Sequence, residues 1–377
     1  MYAFYAFGVT DLQDMIPILL SSLKQGKKCW LCFFDNLLVK KQFYYYDNKE
    51  VVGFIQQICT NNNLPVPHID FFLTEDKDRF SAQYAKNKPE IVFIQNIVHK
   101  SISWYPTAKN SKVIHLAWHK DGARHICSSP YDISMNVLRK EVDLEYYGVS
   151  GIQNIPDWYS HRISDKQKLI EAPTEYFGNF RLEHLRYKPV SNSLPTEEML
   201  NSKSGTCFIV ESHLRNDLTF RKETGRFVDE ILDFFHSNNF YIVWKAREKG
   251  FPKQKWCSPL DVSTKKPDFI IDKDLNFPSS LIYLPLVSDI CLTINSTNAI
   301  FDMQEVNSNS YVVHPTVLSN AEADRFKKRF YGHVKRIHFK SNSQWDILES
   351  TMNNKMTPQP LPDVPASSLL LSSLQDR

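Results

Sequence analysis

The sequence predicts an α/β protein built from two parallel-sheet units in tandem. Apolar runs of strand length alternate with amphipathic helical segments, which is typical of parallel sheets covered by helices on both faces. A connector rich in Pro, Ser and Asn at residues 188–205 interrupts this alternation, and a new alternation starts at residue 207. The length of 377 residues also suits two domains.

Composition indicates a globular protein, because 42% of the residues are hydrophobic and 23% are charged. The 45 basic and 42 acidic residues give a net charge of +3, which does not argue for a nucleic-acid partner. No apolar run reaches the length of a membrane span, and the N-terminal segment lacks the basic leader and cleavage site of a signal peptide. We therefore expect a cytoplasmic protein.

The seven cysteines are scattered, and only Cys29 and Cys32 form a CxxC pattern. They lie inside the segment KKCWLCFF, which has the character of a buried strand. Residues three apart in a strand point to opposite faces, so this pair is not expected to bind a metal or to form a redox centre. Reduced thiols are expected throughout.

The first unit is placed at residues 1–165. The predicted strands are 1–7, 28–34, 68–73, 90–95, 112–119 and 141–147, and the predicted helices are 11–23, 51–60 and 77–85. Ligands of such sheets bind at the carboxyl ends of strands, so the loop containing Gly8 and Thr10 is a candidate edge of a binding cleft. The loop is not a GxGxxG, and a dinucleotide site is not predicted there.

The second unit is placed at residues 175–340, with a C-terminal extension at 341–377. The predicted strands are 207–211, 240–244, 290–294 and 311–313, and the predicted helices are 224–235, 281–286 and 299–306. The proline-rich tail that begins at Pro358 is either a flexible end or a short amphipathic piece. Two such units facing each other create a deep cleft, which is a preferred place for a ligand.

One stretch, VSDICLTINSTNAIFDM at residues 287–303, organises the functional prediction. It is a buried strand, a polar turn (Asn295, Ser296, Thr297 and Asn298) and a helix that begins at Ala299. The first turn of a helix leaves backbone N–H groups without partners, and the helix dipole is positive there. The turn is thus a candidate phosphate site. The alternative is an ordinary capped helix.

Three loops of the second unit follow predicted strands, at residues 212–219, 245–252 and 295–298. Because the carboxyl ends of parallel strands meet at one edge of a sheet, we expect these loops to converge. Arg215, Lys245 and Arg247 could then neutralise phosphate charge. The alternative for each basic residue is solvated surface charge.

The order of these elements, with the segment DxxFPxSLxYLPLVSDICLTINSTNAIFDM, resembles the C-terminal half of GT-B glycosyltransferases. The segment is most similar to the CDP-glycerol glycerophosphotransferase and capsule-polysaccharide group. Residues in matching places are Ser288, Asp289, Thr293, Asn295, Ser296, Thr297, Phe301 and Asp302. Members of the group usually carry Lys-x-His-Pro after the preceding strand, whereas this chain has Lys245, Ala246, Arg247 and Glu248.

Two further segments carry the resemblance, which covers roughly residues 112–315. Residues 178–181 (GNFR) resemble the segment that opens the second domain of these enzymes. Trp118 and His119 resemble a WHG segment at the end of a first-domain strand. The resemblance implies that His119 is the general base for an acceptor hydroxyl, with Asp121 as its rival. Gly8 and Thr10, at the candidate edge of the cleft in the first unit, are predicted to lie on the acceptor side.

The resemblance implies a GT-B fold, in which two Rossmann-like domains face a cleft. The implied activity is transfer of a sugar or polyol phosphate from a nucleotide-activated donor, with a pyrimidine nucleotide, to a hydroxyl of a glycan or lipid-linked acceptor. Capsule or lipopolysaccharide assembly is the expected setting. No cofactor is expected, and the absence of a DxD between apolar strands means that no metal is required.

Three alternatives stay open from the sequence. The chain could be a sugar-nucleotide epimerase of similar two-domain fold, or a non-catalytic module that binds a glycan or nucleotide. The basic and aromatic segment 325–340 could contact a membrane surface peripherally, or it could be a solvated helix packed on the domain.

Overall fold

The computed structural model describes part of the chain as two compact units. The first unit comprises Met1–Val190 and Leu361–Arg377, and the second comprises Ser191–Pro360. The described residues are 1–6, 9–34, 47–73, 76–94, 111–116, 144–149, 169–171, 180–211, 214–215, 218–246, 256–294, 299–314, 336–338, 344–352, 361 and 363–375.

The first unit contains a seven-stranded sheet in which every described pairing is parallel. The spatial order is β3-β2-β1-β4-β5-β6-β7. The strands are Tyr2–Ala6 (β1), Cys29–Phe34 (β2), His68–Phe72 (β3), Ile91–Ile94 (β4), Lys112–Leu116 (β5), Leu144–Val149 (β6) and Leu169–Glu171 (β7). Strands β1 and β2 are buried along their whole length, which explains why their sequences are continuous apolar runs rather than alternating ones.

Helices of the first unit follow the apolar periodicity of the sequence. They are Val9–Lys24 (α1), Asn48–Asn61 (α2) and Lys77–Asn87 (α3), with a 3-10 helix at Phe180–Arg186. The start of α2 is determined locally by a capping box, in which Asp47 caps the helix and the Glu50 side chain accepts a bond from the Asp47 N–H.

The prediction that Cys29 and Cys32 lie within a buried strand is confirmed. Both are buried free thiols within β2. Burial raises the pKa of the Cys29 thiol to about 12 and raises that of Cys32 well above its usual value. Neither thiol therefore has the thiolate character that redox or metal chemistry requires.

The second unit contains a six-stranded parallel sheet in the order β12-β10-β8-β13-β14-β15. A separate two-stranded antiparallel ribbon joins β9 and β11. The strands are Gly205–Val210 (β8), Leu214–Arg215 (β9), Phe240–Lys245 (β10), Trp256–Cys257 (β11), Phe269–Ile271 (β12), Ile290–Ile294 (β13), Ser310–His314 (β14) and Arg336–His338 (β15).

Two apolar layers cover the faces of this sheet. Alternate residues of β8 enter different layers, with Cys207 and Ile209 on one side and Phe208 and Val210 on the other. The helices of the unit are Glu197–Leu200 (α4), Leu218–Ser237 (α5), Ser280–Val287 (α6), Ala299–Val306 (α7) and Gln344–Met352 (α8). Helix α5 packs on the first side, and α6 and α7 pack on the second. Both faces in the middle of the sheet are therefore buried against apolar side chains.

The predicted fold class is confirmed, whereas three sheet strands were not predicted. Leu169–Glu171, Phe269–Ile271 and Arg336–His338 each have three residues and each lies at the edge of its sheet. So short a strand is defined by pairing with its neighbour rather than by its own periodicity. The helix interpretation of segment 325–340 is therefore wrong for Arg336–His338, and the rest of that segment lies outside the described residues.

The boundary between the units also differs from the predicted one. It falls between Val190 and Ser191, so residues 175–190 belong to the first unit. The physical reason is the packing of the 3-10 helix against α1, where the buried His184 side chain hydrogen-bonds the carbonyl of Gln13 at 2.7 Å.

The C-terminal tail forms a helix, Ala366–Gln375 (α9), that packs within the first unit. Leu370 and Leu371 are fully buried, and the Ser367 N–H donates to the Glu183 carboxylate at 2.8 Å. Of the two predicted alternatives for the tail, the amphipathic piece is the one observed at these residues. The last helix in the chain thus completes the core of the first domain.

We predict that Leu371→Ala loosens the first unit and leaves the second intact. Removing a buried leucine costs about 2–5 kcal/mol, because a cavity remains. Hydrogen exchange measured by mass spectrometry should become faster in α1 (Val9–Lys24), while exchange in β10 stays unchanged. Ser372→Ala, at an exposed position on the same helix, is the control. Unchanged exchange in α1 would contradict the structural role of this helix.

Candidate functional site

The carboxyl edge of the second sheet is the candidate site. The direction in which successive strands are added to the sheet reverses between its two central strands, β8 and β13. Strand β8 has β10 and β12 on one side, while the chain returns on the other side to form β13. Such a reversal creates a crevice at the carboxyl ends of the two central strands, where ligands of open α/β sheets bind. Glu211 follows β8 at this point, and residues 295–298 follow β13.

Buried polar side chains occur at this edge, beyond the apolar middle of the sheet. Lys245 pairs in register with Val210, which in turn pairs with Thr293. Thr293 is fully buried, Glu211 is 5% exposed, and His314 at the end of β14 is 1% exposed. Buried polar groups generally need partners, and those of Lys245 and Glu211 come from other segments of the chain.

Lys245 and Asp274 form a buried ion pair at the edge. The Lys245 Nζ atom lies 3.0 Å from Asp274 Oδ2, and the two residues are 8% and 1% exposed. Burial opposes ionisation of Asp274, but the Lys245 ammonium and hydrogen bonds from Ser280 and Asn276 outweigh it. The pKa of Asp274 is consequently lowered. The pair is neutral as a whole.

Asp274 also caps the first residue of helix α6. It accepts bonds from the Ser280 backbone N–H at 3.1 Å and from the Ser280 hydroxyl at 2.6 Å. The N-cap residue Ser279 makes no side-chain capping bond. A carboxylate at the amino end of a helix is stabilised by the unpaired N–H groups and by the helix dipole. Asp274 therefore joins strand β10 to helix α6.

Asn276 continues the network toward the start of the second unit. Its Nδ2 group donates to Asp274 Oδ1 at 2.8 Å, and its Oδ1 atom accepts the N–H groups of Asn192 and Ser193 at 2.9 and 3.1 Å. The loop that carries Asp274 is therefore held by the connector as well as by the sheet.

Glu211 organises the other side of the edge. Its Oε2 atom accepts bonds from the Ser258 hydroxyl at 2.6 Å and from the Trp244 indole N–H at 3.0 Å. Its backbone N–H donates to the Lys245 carbonyl at 3.1 Å. Glu211 thereby ties strand β8 to strand β10 and to the residue that follows β11.

The ribbon β9–β11 joins the predicted loop 212–219 to a strand that begins four residues after the predicted loop 245–252. Arg215 pairs with Trp256 and Leu214 pairs with Cys257. Strand β9 lies in the loop after β8, whereas β11 follows the segment that leaves β10. Backbone hydrogen bonds therefore link these two segments at the carboxyl edge.

The predicted site residues are described to different degrees. Lys245 ends β10 and pairs with Asp274, Arg215 lies in β9, and Thr10 lies in α1. The predicted strand before the turn and the predicted helix after it are confirmed as β13 and α7. The other predicted residues lie outside the described part of the chain: Gly8, His119, Asp121, Arg247, Asn295, Ser296, Thr297 and Asn298. Their roles stay predictions, as does the cleft between the units.

The sequence analysis missed Glu211, Ser258, Asp274 and Asn276. Glu211 carried a weak signal, since it is a carboxylate at the end of the predicted buried strand 207–211. Asp274 opens the segment DxxFP that carried the resemblance, but nothing local indicated a partner 29 positions earlier in the chain. The Lys245–Asp274 contact exists only because the folded chain brings the end of β10 next to the loop before α6, and local sequence does not show this proximity.

Neither a metal-binding cluster nor a membrane-spanning helix occurs among the residues that the structure describes. Within those ranges no group of three or more His, Cys, Asp or Glu side chains is arranged to hold a metal ion. None of the helices in the same ranges combines the length and the apolar character needed to cross a membrane.

Comparison with known proteins supports the fold. No protein-family model matches the chain, and no curated protein matches it in sequence. A candidate UDP-N-acetylglucosamine 2-epimerase from Listeria monocytogenes has a similar structure, with a TM-score of 0.62 at 10% identity over 100% of this chain and 95% of that one. The corresponding epimerase from Methanocaldococcus jannaschii has a TM-score of 0.61 at 11% identity, and both chains are covered completely.

A third structure, UDP-GlcNAc 2-epimerase from Neisseria meningitidis bound to UDP-GlcNAc, has a TM-score of 0.58 at 14% identity, again over 100% of both chains. These likenesses concern the fold. The chain has two parallel-sheet α/β domains and matches the GT-B-like fold of these epimerases.

We predict that Lys245→Met strongly destabilises the second unit. The substitution leaves the buried Asp274 carboxylate without its cation, and breaking a buried pair costs about 3–5 kcal/mol. The double variant Lys245→Met/Asp274→Asn removes both charges and should recover part of that loss. Urea denaturation monitored by tryptophan fluorescence measures both effects. Equal stability of the single and double variants would contradict a role for the pair.

The lowered pKa of Asp274 predicts a pH dependence of the same unit. A depressed folded-state pKa contributes stability that is present above the ordinary value of 3.8 and is lost as pH falls through the folded value. The difference in unfolding free energy between wild type and Asp274→Asn should thus be largest near neutral pH and shrink below about pH 4. Urea titrations between pH 7 and pH 3 measure it, and a constant difference would contradict the assignment.

Proposed function

We propose that this chain is an enzyme that acts on a nucleotide-activated sugar, and that it is a sugar-nucleotide epimerase. The observation that carries this proposal is the extent of the structural likeness. It spans the whole of this chain and the whole of two UDP-GlcNAc 2-epimerases, so both domains are included. One of those structures is bound to UDP-GlcNAc, which makes a uridine nucleotide sugar the first substrate class to test.

The nucleotide diphosphate is proposed to bind at the carboxyl edge of the second sheet. Helix α7 begins at Ala299, next to the order reversal between β8 and β13, so its N–H groups and dipole favour an anion. The polar turn of Ser296 and Thr297 precedes that helix. Because the Lys245 charge is balanced by Asp274, the net positive charge for the phosphates is assigned to Arg215 and Arg247.

A glycosyltransferase is the second candidate, favoured by the resemblance of residues 287–303 and of Trp118-His119 to the CDP-glycerol glycerophosphotransferase group. In this version His119 deprotonates an acceptor hydroxyl, Asp121 is its rival, and Gly8 and Thr10 lie on the acceptor side. The acceptor is a glycan or lipid-linked glycan of capsule or lipopolysaccharide assembly.

Nucleotide binding is tested by thermal unfolding with UDP, CDP, CMP and GDP. A ligand that binds only the folded protein stabilises it by about 2.7 kcal/mol at a hundred times its Kd. For domains of this size we expect a rise in Tm of roughly 5–11 °C with a pyrimidine diphosphate at that concentration, and a smaller rise with GDP. If no nucleotide raises the Tm, the proposal is overturned.

The reaction is tested by incubating the chain with UDP-GlcNAc alone and following the sugar protons by NMR. An epimerase converts the substrate to its 2-epimer without an acceptor. A transferase releases UDP only when an acceptor is added, and that release should fall at least about a hundredfold in His119→Ala. Binding without turnover under either condition would instead support a non-catalytic module.

A further inference from the structure

The ribbon β9–β11 is too small to hold its own position. Each strand has two residues, Leu214–Arg215 and Trp256–Cys257. Isolated two-stranded ribbons are marginal in water even when they are much longer. Its place beside the sheet must therefore come from contacts at its ends.

Glu211 supplies the contact nearest to the sheet. It lies directly after β8 and three residues before β9, and its carboxylate accepts the hydroxyl of Ser258, which directly follows β11. The same oxygen accepts the indole N–H of Trp244 from the core of the sheet. One buried carboxylate therefore connects the base of the ribbon to a fully buried residue of β10.

A second clamp fixes the chain that continues from the ribbon, farther from the sheet edge. The Asp229 carboxylate on α5 accepts bonds from the Ser263 hydroxyl at 2.6 Å and from the Thr264 N–H and hydroxyl at 2.8 and 2.7 Å. Glu211 and Asp229 thus bind opposite ends of the same segment, and Glu211 binds the end that adjoins the ribbon.

The ribbon lies where the proposed ligand would bind. Strand β9 carries Arg215, and the segment between β10 and β11 carries Arg247. The loop that contains β9 leaves β8, one of the two strands that flank the reversal of strand order, and the segment before β11 leaves the adjacent strand β10. A shift of the ribbon would therefore displace Arg215, and misplacement of charge by about 1 Å is enough to weaken contacts to a phosphate strongly.

We propose that Glu211 is a positioning residue for nucleotide binding, which holds the β9–β11 ribbon and its Arg215 at the carboxyl edge through Ser258 and Trp244. This inference rests on the proposed function. Glu211 is not proposed to touch the substrate. It acts through the ribbon, on the diphosphate part of the nucleotide.

The experiment measures UDP binding by isothermal titration calorimetry in matched variants. Glu211→Ala should raise the Kd by at least about tenfold, because both anchoring bonds are lost. Glu211→Gln should stay close to wild type, since one amide oxygen can accept both bonds. Ser258→Ala, which preserves the bond to Trp244, should raise the Kd by a smaller factor. Asp229→Asn is the control and should leave the Kd unchanged.

A purely structural role predicts a different result. Loss of folded protein lowers the binding stoichiometry while the Kd of the remaining sites stays that of wild type. The proposal also requires non-additivity with Arg215→Met, because Glu211 acts through Arg215: the double variant Glu211→Ala/Arg215→Met should bind about as weakly as Arg215→Met alone.

The outcomes separate the two proposals. Absence of UDP binding by the wild-type chain would overturn the proposed uridine-nucleotide function. Binding by wild type together with an unchanged Kd in Glu211→Ala, or full additivity in the double variant, would overturn the positioning role alone.

Discussion

The buried ion pair between Lys245 and Asp274 is the interaction on which the carboxyl edge of the second domain depends. Removing the two charges from water costs free energy. Their attraction at 3.0 Å and the hydrogen bonds that Asp274 accepts from Ser280 and Asn276 offset this cost. Such a pair contributes little net stability compared with apolar residues of the same volume. What it determines is position, because the strand end, the start of helix α6 and the loop between them can satisfy their polar atoms in only one arrangement.

The architecture of the second sheet explains why its polar contacts lie at the strand ends. Strands β8, β10 and β13 are covered on both faces, so their middles are apolar and offer no place for chemistry. Polar groups are confined to the strand ends, where Glu211, Lys245 and Thr293 meet at neighbouring positions. The Lys245–Asp274 ion pair and the Glu211–Ser258 hydrogen bond each connect a strand end to a later segment of the chain. A rigid sheet thereby supports loops that the sheet's own hydrogen bonds do not reach.

Much of the fold could be predicted because it depends on local patterns. The central strands are long apolar runs, and helices such as Asn48–Asn61 carry both periodicity and a capping box. The strand and helix that surround residues 295–298 were predicted at their observed limits. The edge strands of three residues were not predictable in this way, nor was the packing of the tail helix in the first unit, because both are defined by partners distant in sequence.

By itself, the sequence determined that the chain is an α/β protein of two parallel-sheet units, and that a polar turn and basic residues follow the strands of the second. These properties come from apolar periodicity and from residue types next to strand ends, and both are local. The tertiary structure alone decided that Lys245 is neutralised by Asp274 and that Glu211 anchors the ribbon bearing Arg215. Those contacts join residues 29 and 47 positions apart, and they exist only because the order of the strands brings their ends together.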